Sequence, residues 1–185
     1  MGVLSKTLIL DRLSKSVDDD QSLVISPFLE DAIGPDSIDL RLGSYFLFPP
    51  LLARKAVDVN DKNSHAKELN VHIPFDSELI LPAHQTVLGV TLEFIKLPFD
   101  LSGQILTKSS VARTFMVIET APWIHPCYRG CLTLEIANVS TSAIVLRPNM
   151  PIGQLILMSI DKPEKSEKLS GRYIGPVRPE SPLPK

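Results

Sequence analysis

The sequence has little cysteine, no strong excess of either charge and no long apolar run. Its 185 residues include two cysteines, too few for a disulfide framework. Lys and Arg total 19 against 21 Asp and Glu, a net charge of −2. A dedicated nucleic-acid binder usually carries a basic excess, so that class is disfavoured. A small anionic ligand needs only a local cluster of donors. No stretch reaches the roughly 20 apolar residues of a membrane span. Met1 opens into Gly2–Thr7 with no basic flank and no apolar core, which predicts no signal peptide. A cytoplasmic protein with neither a membrane nor a nucleic-acid partner is the expectation.

Proline, by contrast, is abundant: 16 residues, above the average usage of about 5%. Prolines cut the chain into short pieces and favour strands and turns over long helices. Hydrophobic residues at 44% and charged residues at 22% describe a folded chain, and the length suits one domain over residues 1–185. A short helix is expected after Ser5, with Leu8, Ile9, Leu10 and Leu13 on its apolar face. Ser37–Leu42 reads as a strand with Ile38, Leu40 and Leu42 on one side. Residues 51–70 look like an excursion, and Ser77–Leu81 like a short strand. Leu88, Val90, Leu92 and Phe94 alternate with Gly89, Thr91 and Glu93, and Leu132, Leu134 and Ile136 with Thr133, Glu135 and Ala137. Ile144–Leu146 and Ile152–Met158 flank a Pro148–Asn149 turn. Without a βαβ rhythm, these pieces predict a β-sandwich or barrel-like fold. The segment 163–185 lacks a periodic apolar face and reads either as a mobile tail or as one that drapes over a neighbour.

Three groups invite chemistry. Cys127 and Cys131, with His125 beside them, faintly resemble a zinc deaminase, but that signature needs Pro-Cys-x-x-Cys and an upstream His-x-Glu. Neither is present, so Cys131 reads as a small core residue. Lys108-Ser109-Ser110-Val111-Ala112-Arg113 combines hydroxyls with cations. Ser109 and Arg113 would share a face over one helical turn, able to bind phosphate oxygens or simply to cap a turn. Glu135 lies between Leu134 and Ile136. It is either a charge on a solvated sheet face or a carboxylate in a partly dry pocket, fit for proton shuttling.

Taken together, ordered blocks resemble the deoxycytidine triphosphate deaminase family of the dUTPase-like superfamily. They are Ser37–Gly43, Thr91-Leu92-Glu93, Ser109–Arg113, Thr120-Ala121, Thr133–Glu135, Asn138-Val139, Gly153-Gln154-Leu155 and Arg172–Gly175. The resemblance implies a mainly β, distorted β-barrel or jelly-roll-like dUTPase-like fold with short helices. It implies a homotrimer with active sites between subunits, and a C-terminal lid within 163–185. The implied reaction removes the 4-amino group of dCTP to give dUTP and ammonia without zinc, magnesium accompanying the triphosphate. The alternatives are a dUTPase or bifunctional enzyme ending at dUMP and diphosphate, and a non-catalytic nucleotide-binding homologue.

By the same resemblance, Glu135 is the proton shuttle, Ser109 touches water and nucleotide, and Arg113 stabilises charge near the base. The backbone of Ala121 places water and the exocyclic amine. Lys108, Ser110, His125, Arg172 and Tyr173 complete the expected substrate contacts, and no residue is expected to bind a metal. The chain also departs from the family. The loop Thr114–Glu119 is one residue shorter and lacks the usual Leu-Gly and histidine. His125 stands for aspartate, Cys127 for glycine, Lys108 for arginine and Pro176 for glutamine.

Overall fold

One long central strand receives partners on both of its edges and ties the rest of the chain together. The computed structural model describes residues 2–48, 69–119, 121–161 and 175–180. Helix α1 spans Lys6–Ser14, followed by β1 (Val24–Ser26), β2 (Ile38–Arg41), β3 (Tyr45–Phe48), β4 (Leu69–His72) and β5 (Leu79–Leu81). The long strand β6 (Thr86–Lys96) leads to β7 (Leu101–Thr107) and the one-turn helix α2 (Ser109–Ala112). Strands β8 (Met116–Glu119), β9 (Trp123–Ile124), β10 (Arg129–Asn138), β11 (Ile144–Leu146) and β12 (Pro151–Ser159) follow.

One sheet has the order β4-β3-β6-β10-β8, with β1 also on β6; a second runs β2-β12-β7-β9; β5 and β11 form a third. The arrangement is jelly-roll-like, made of open sheets rather than a closed barrel, as the mainly β expectation required. Ile38, Leu40 and Leu42 meet Leu155 and Leu157 on one wall of the core, with Leu132, Leu134 and Ile136 on the other. Alternation thus places these residues inward, because side chains on a strand change face at every step.

The N-terminal helix forms, but differently from expectation. Ser5 occupies the cap position without a side-chain cap bond. Leu8 is 53% exposed whereas Ile9 is fully buried. What secures the helix is the fork of Arg12, which donates to both oxygens of Asp100 at 3.2 and 2.6 Å. Strand β6 also departs from a simple one-sided reading. Its buried positions include Gly89, Thr91 and Glu93, while Leu88, Leu92 and Phe94 are half-buried. Both faces of β6 are therefore covered. The polar members are satisfied: the Thr91 hydroxyl donates to the Glu93 carbonyl at 2.8 Å and accepts from the Leu132 N–H at 2.9 Å.

Glu93 joins the two larger sheets. Its carboxylate accepts the Arg41 backbone N–H at 2.9 Å and Nε at 2.6 Å. The same arginine donates from Nη1 to Asn149 at 2.9 Å. Nearby, the Gly43 N–H donates to the Val90 carbonyl at 2.7 Å. A Cβ at Gly43 would lie 2.9 Å from a Val90 methyl, so only glycine lets the strands approach this closely. Replacing Glu93 by alanine leaves the buried guanidinium without its counter-charge. The expected loss is about 3–5 kcal/mol in urea unfolding. The double change Arg41→Met, Glu93→Leu should recover part of it, since the Arg41 backbone N–H still lacks its carboxylate acceptor.

Candidate active site

Strands β8 and β10 pair from Asn138 opposite Met116 to Glu135 opposite Glu119. Beyond that rung they separate. The β8 side crosses to the second sheet, where Ile124 pairs with Gly103, while β10 continues along β6 as far as Arg129 opposite Lys96. Glu135 stands at this fork. The register that sends Leu134 and Ile136 into the core turns Thr133 and Glu135 to the other face, half-buried. The Oε2 atom of Glu135 is shielded from solvent, and Leu88 is its neighbour across the ladder. A carboxylate in such a setting is a suitable proton acceptor and donor for a ligand that enters the fork.

Residues Lys108–Arg113 form the single turn that their spacing predicts. Arg113 closes it, donating its N–H to the Ser109 carbonyl at 3.2 Å. Ser109, Ser110 and Arg113 are exposed. The Thr107 hydroxyl, two residues upstream of Ser109, accepts the Ile118 N–H at 2.8 Å, and Ile118 pairs with Ile136. The turn is thereby tied to the strands that carry the fork. Lys108 differs from its neighbours, since its ammonium is paired with Asp39 on β2.

Ala121 is exposed just past the fork, and His125 is exposed beyond β9. Because Ile124 faces Gly103, His125 lies toward the end of β7 opposite Lys108. Positions 103 and 108 are five residue steps apart, roughly 17 Å at about 3.4 Å per residue. One chain thus brings Glu135 and Ala121 to one fork but sets His125 well away from the Lys108–Arg113 turn. Arg172 and Tyr173 lie outside the described residues, as does most of the expected lid.

Residues 175–180 occupy the edge of β10 that β8 leaves free. The Gly175 N–H donates to the Arg129 carbonyl at 2.6 Å, and the Cys131 N–H to the Pro176 carbonyl at 2.7 Å. The Glu180 N–H reaches the Thr133 hydroxyl at 3.4 Å, and the Arg178 guanidinium lies 4.6 Å from the centre of the Tyr45 ring. Composition alone held no sign of this docking. Beneath it, the Tyr128 hydroxyl donates to the Cys131 carbonyl at 2.9 Å. Burial, with the Cys131 thiol and the Glu180 carboxylate nearby, pushes the Tyr128 phenol well above its ordinary range. The Cys131 thiol is raised as well, by burial first and then by Glu93. Cys131 is therefore the inert core residue its position predicted. Cys127, where the resemblance implies glycine, has a left-handed backbone at φ 61°, the conformation glycine adopts without steric cost.

Comparisons with known proteins bear on the family and the fold. The family model described as dCTP deaminase-like matches residues 3–160. A relative from Nanoarchaeum equitans, named dCTP deaminase, dUMP-forming, is 35% identical over 182 residues, covering 89% of this chain and 90% of its own. One from Halorubrum lacusprofundi, named dCTP deaminase, is 34% identical, covering 88% of this chain and 80% of its own. The crystal structure of 2'-deoxycytidine 5'-triphosphate deaminase from Agrobacterium tumefaciens shares the fold, with a TM-score of 0.62 and 24% identity. That alignment covers 86% of this chain and 48% of the solved one, so this chain matches about half of the solved chain. The fold places the chain in a class of mainly β, jelly-roll-like proteins. It belongs to the dCTP deaminase-like family.

Gly130 tests the docked segment. With φ at 142°, a Cβ there would meet Pro176 Cδ at 2.4 Å and its backbone nitrogen at 2.9 Å. Gly130→Ala should displace residues 175–180. The expected sign is faster hydrogen exchange at the Gly175 and Cys131 amides; unchanged protection would show that the contact is dispensable.

Proposed function

We propose that this chain is a bifunctional dCTP deaminase that ends at dUMP and diphosphate. The sequence alone favours a stop at dUTP. Most of the relatives matched over nearly the whole chain carry the dUMP-forming name, the Nanoarchaeum protein among them, and this shifts the reading to the second product. The observation that carries the catalytic part is Glu135 at the fork, half-buried with one oxygen shielded from water.

In this reading, water adds its oxygen to C4 of the cytosine while Glu135 takes its proton and delivers it to ring N3. Glu135 then takes the proton of the new C4 hydroxyl and passes it to the exocyclic nitrogen, and the C4–N4 bond breaks to release ammonia. The product is a C4 carbonyl. A second water then attacks the α-phosphorus, and the bond to the bridging oxygen breaks to release diphosphate. Ser109 orients the attacking water, Arg113 offsets charge that develops near the base, and the Ala121 backbone helps hold the amine. Lys108 and Ser110 meet phosphate oxygens, and His125 takes the sugar side. Arg172 and Tyr173 add contacts from the tail.

Among the described residues no group of three or more His, Cys, Asp or Glu is placed to hold a metal. In this reading a magnesium ion accompanies the triphosphate and would screen its charge. The working unit in this reading is a homotrimer with sites between subunits. The separation of His125 from the Lys108–Arg113 turn supports it. So do the exposed Phe115 and Trp123, at 64% and 45%, which neighbouring subunits would cover. Light scattering should give the mass of three chains; a monomer mass would refute this assembly.

Incubation with dCTP and magnesium should release ammonia and diphosphate in equal amounts, and dUTP should yield diphosphate. Ammonia without diphosphate would mark a dUTP-forming enzyme, as the plainly named Halorubrum relative suggests. Neither product, with binding retained, would mark a non-catalytic homologue. Glu135→Gln should slow ammonia release by about 10²–10⁴-fold while nucleotide binding persists. Wild-type turnover in that variant would remove Glu135 from the mechanism.

A further inference from the structure

We propose that Asp39 is a positioning residue for the phosphate end of the ligand, acting through Lys108, with Gln154 holding Asp39 in place. The inference rests on the nucleotide reading above and deepens it. The backbone N–H of Lys108 donates to the Ile152 carbonyl at 3.0 Å, which fixes the base of its side chain against β12. Its ammonium pairs with Oδ2 of Asp39 on β2. The other oxygen, Oδ1, accepts Nε2 of Gln154 on β12 at 3.2 Å. Gln154 and Asp39 are direct cross-strand partners, so their side chains leave the sheet on the same face. β2 thus holds the ammonium through Asp39, and β12 holds Asp39 through Gln154 and the Lys108 backbone through Ile152.

The exposure of this cluster separates a working role from a purely stabilising one. The Lys108 and Asp39 side chains are 27% and 26% exposed. At that partial exposure the pair keeps contact with solvent, which limits what it adds to stability. Lys108 also immediately precedes Ser109. A lysine here has a cost that an arginine would not. Its ammonium is a point charge on a flexible four-carbon stem, with no planar fork to set its direction. Asp39 and Gln154 supply the orientation that the side chain lacks. Asp39 does oppose an incoming phosphate by its own charge. In this proposal the ordering of the lysine stem outweighs that repulsion, which partial burial leaves only weakly screened.

The test is titration with inorganic tripolyphosphate and steady-state kinetics with dCTP, both with magnesium. The proteins are wild type, Asp39→Asn, Lys108→Met and the double variant. Asp39→Asn should weaken tripolyphosphate binding and raise KM about tenfold, with kcat within about twofold of wild type and melting temperature unchanged. In the Lys108→Met background the same change should have no further effect. An unchanged or lower KM in Asp39→Asn overturns the proposal, as does an equal effect with and without Lys108. If wild type releases neither ammonia nor diphosphate, the catalytic reading fails separately, and the tripolyphosphate titration still decides the role of Asp39.

Discussion

The pairing of Glu93 with Arg41 is the constraint on which the rest of the structure depends. A carboxylate 3% exposed in the middle of the longest strand is tolerable only with a fixed partner, because an unpaired buried charge is severely unfavourable. Arg41 is that partner and comes from the other large sheet. The pair therefore fixes how two sheets meet, and the turn at Asn149 is drawn in through the same guanidinium. Gly43 then allows the strands to close at the point where they touch. Hydrophobic burial supplies most of the driving force, but it is non-directional; the ion pair selects one mutual placement of the sheets.

That placement has consequences for the site. With β6 tied through Glu93 to the second sheet, β10 runs along it for its whole length, while the short β8 follows only to Glu135. The fork arises from this mismatch of strand lengths. On one branch the chain carries Ala121 and His125 into the second sheet. On the other, the free edge of β10 accepts residues 175–180. Backbone groups at Arg129 and Cys131 that β8 leaves without a strand partner are satisfied there, as buried amides require. Glu135 faces away from the apolar core for a simple reason: its neighbours Leu134 and Ile136 face into it.

Several features are legible in the residues alone. The alternation at 132–136 identifies β10 and the side on which Glu135 projects, and the spacing of Ser109 and Arg113 identifies the turn of α2. The blocks Ser37–Gly43 and Gly153–Leu155 stand out in the resemblance, though nothing in them says that Asp39 and Gln154 converge on Lys108. Strand β6 is less legible. Its apolar alternation suggests one buried face, but burial of Thr91 and Glu93 depends on partners 41 and 52 residues away. Leu8 was misleading for a related reason. A nine-residue helix can turn either of two neighbouring apolar stripes inward, and the Arg12–Asp100 contact selects the one carrying Ile9.

The opening scarcities keep their meaning. Few cysteines leave stability to packing and to a small number of buried polar contacts, with Cys131 serving only as packing. Near-neutral charge leaves local clusters to select any anion. The sequence by itself determined the strand-rich class, the family and the identity of the chemical groups, because these follow from local periodicity and short ordered motifs. Only the tertiary structure decided which face of β6 is buried, where β8 and β10 part, that the tail docks beside Tyr45, and that Lys108 is held by Asp39. Those outcomes depend on register between distant segments, and a strand's own pattern specifies its alternation without naming its partner.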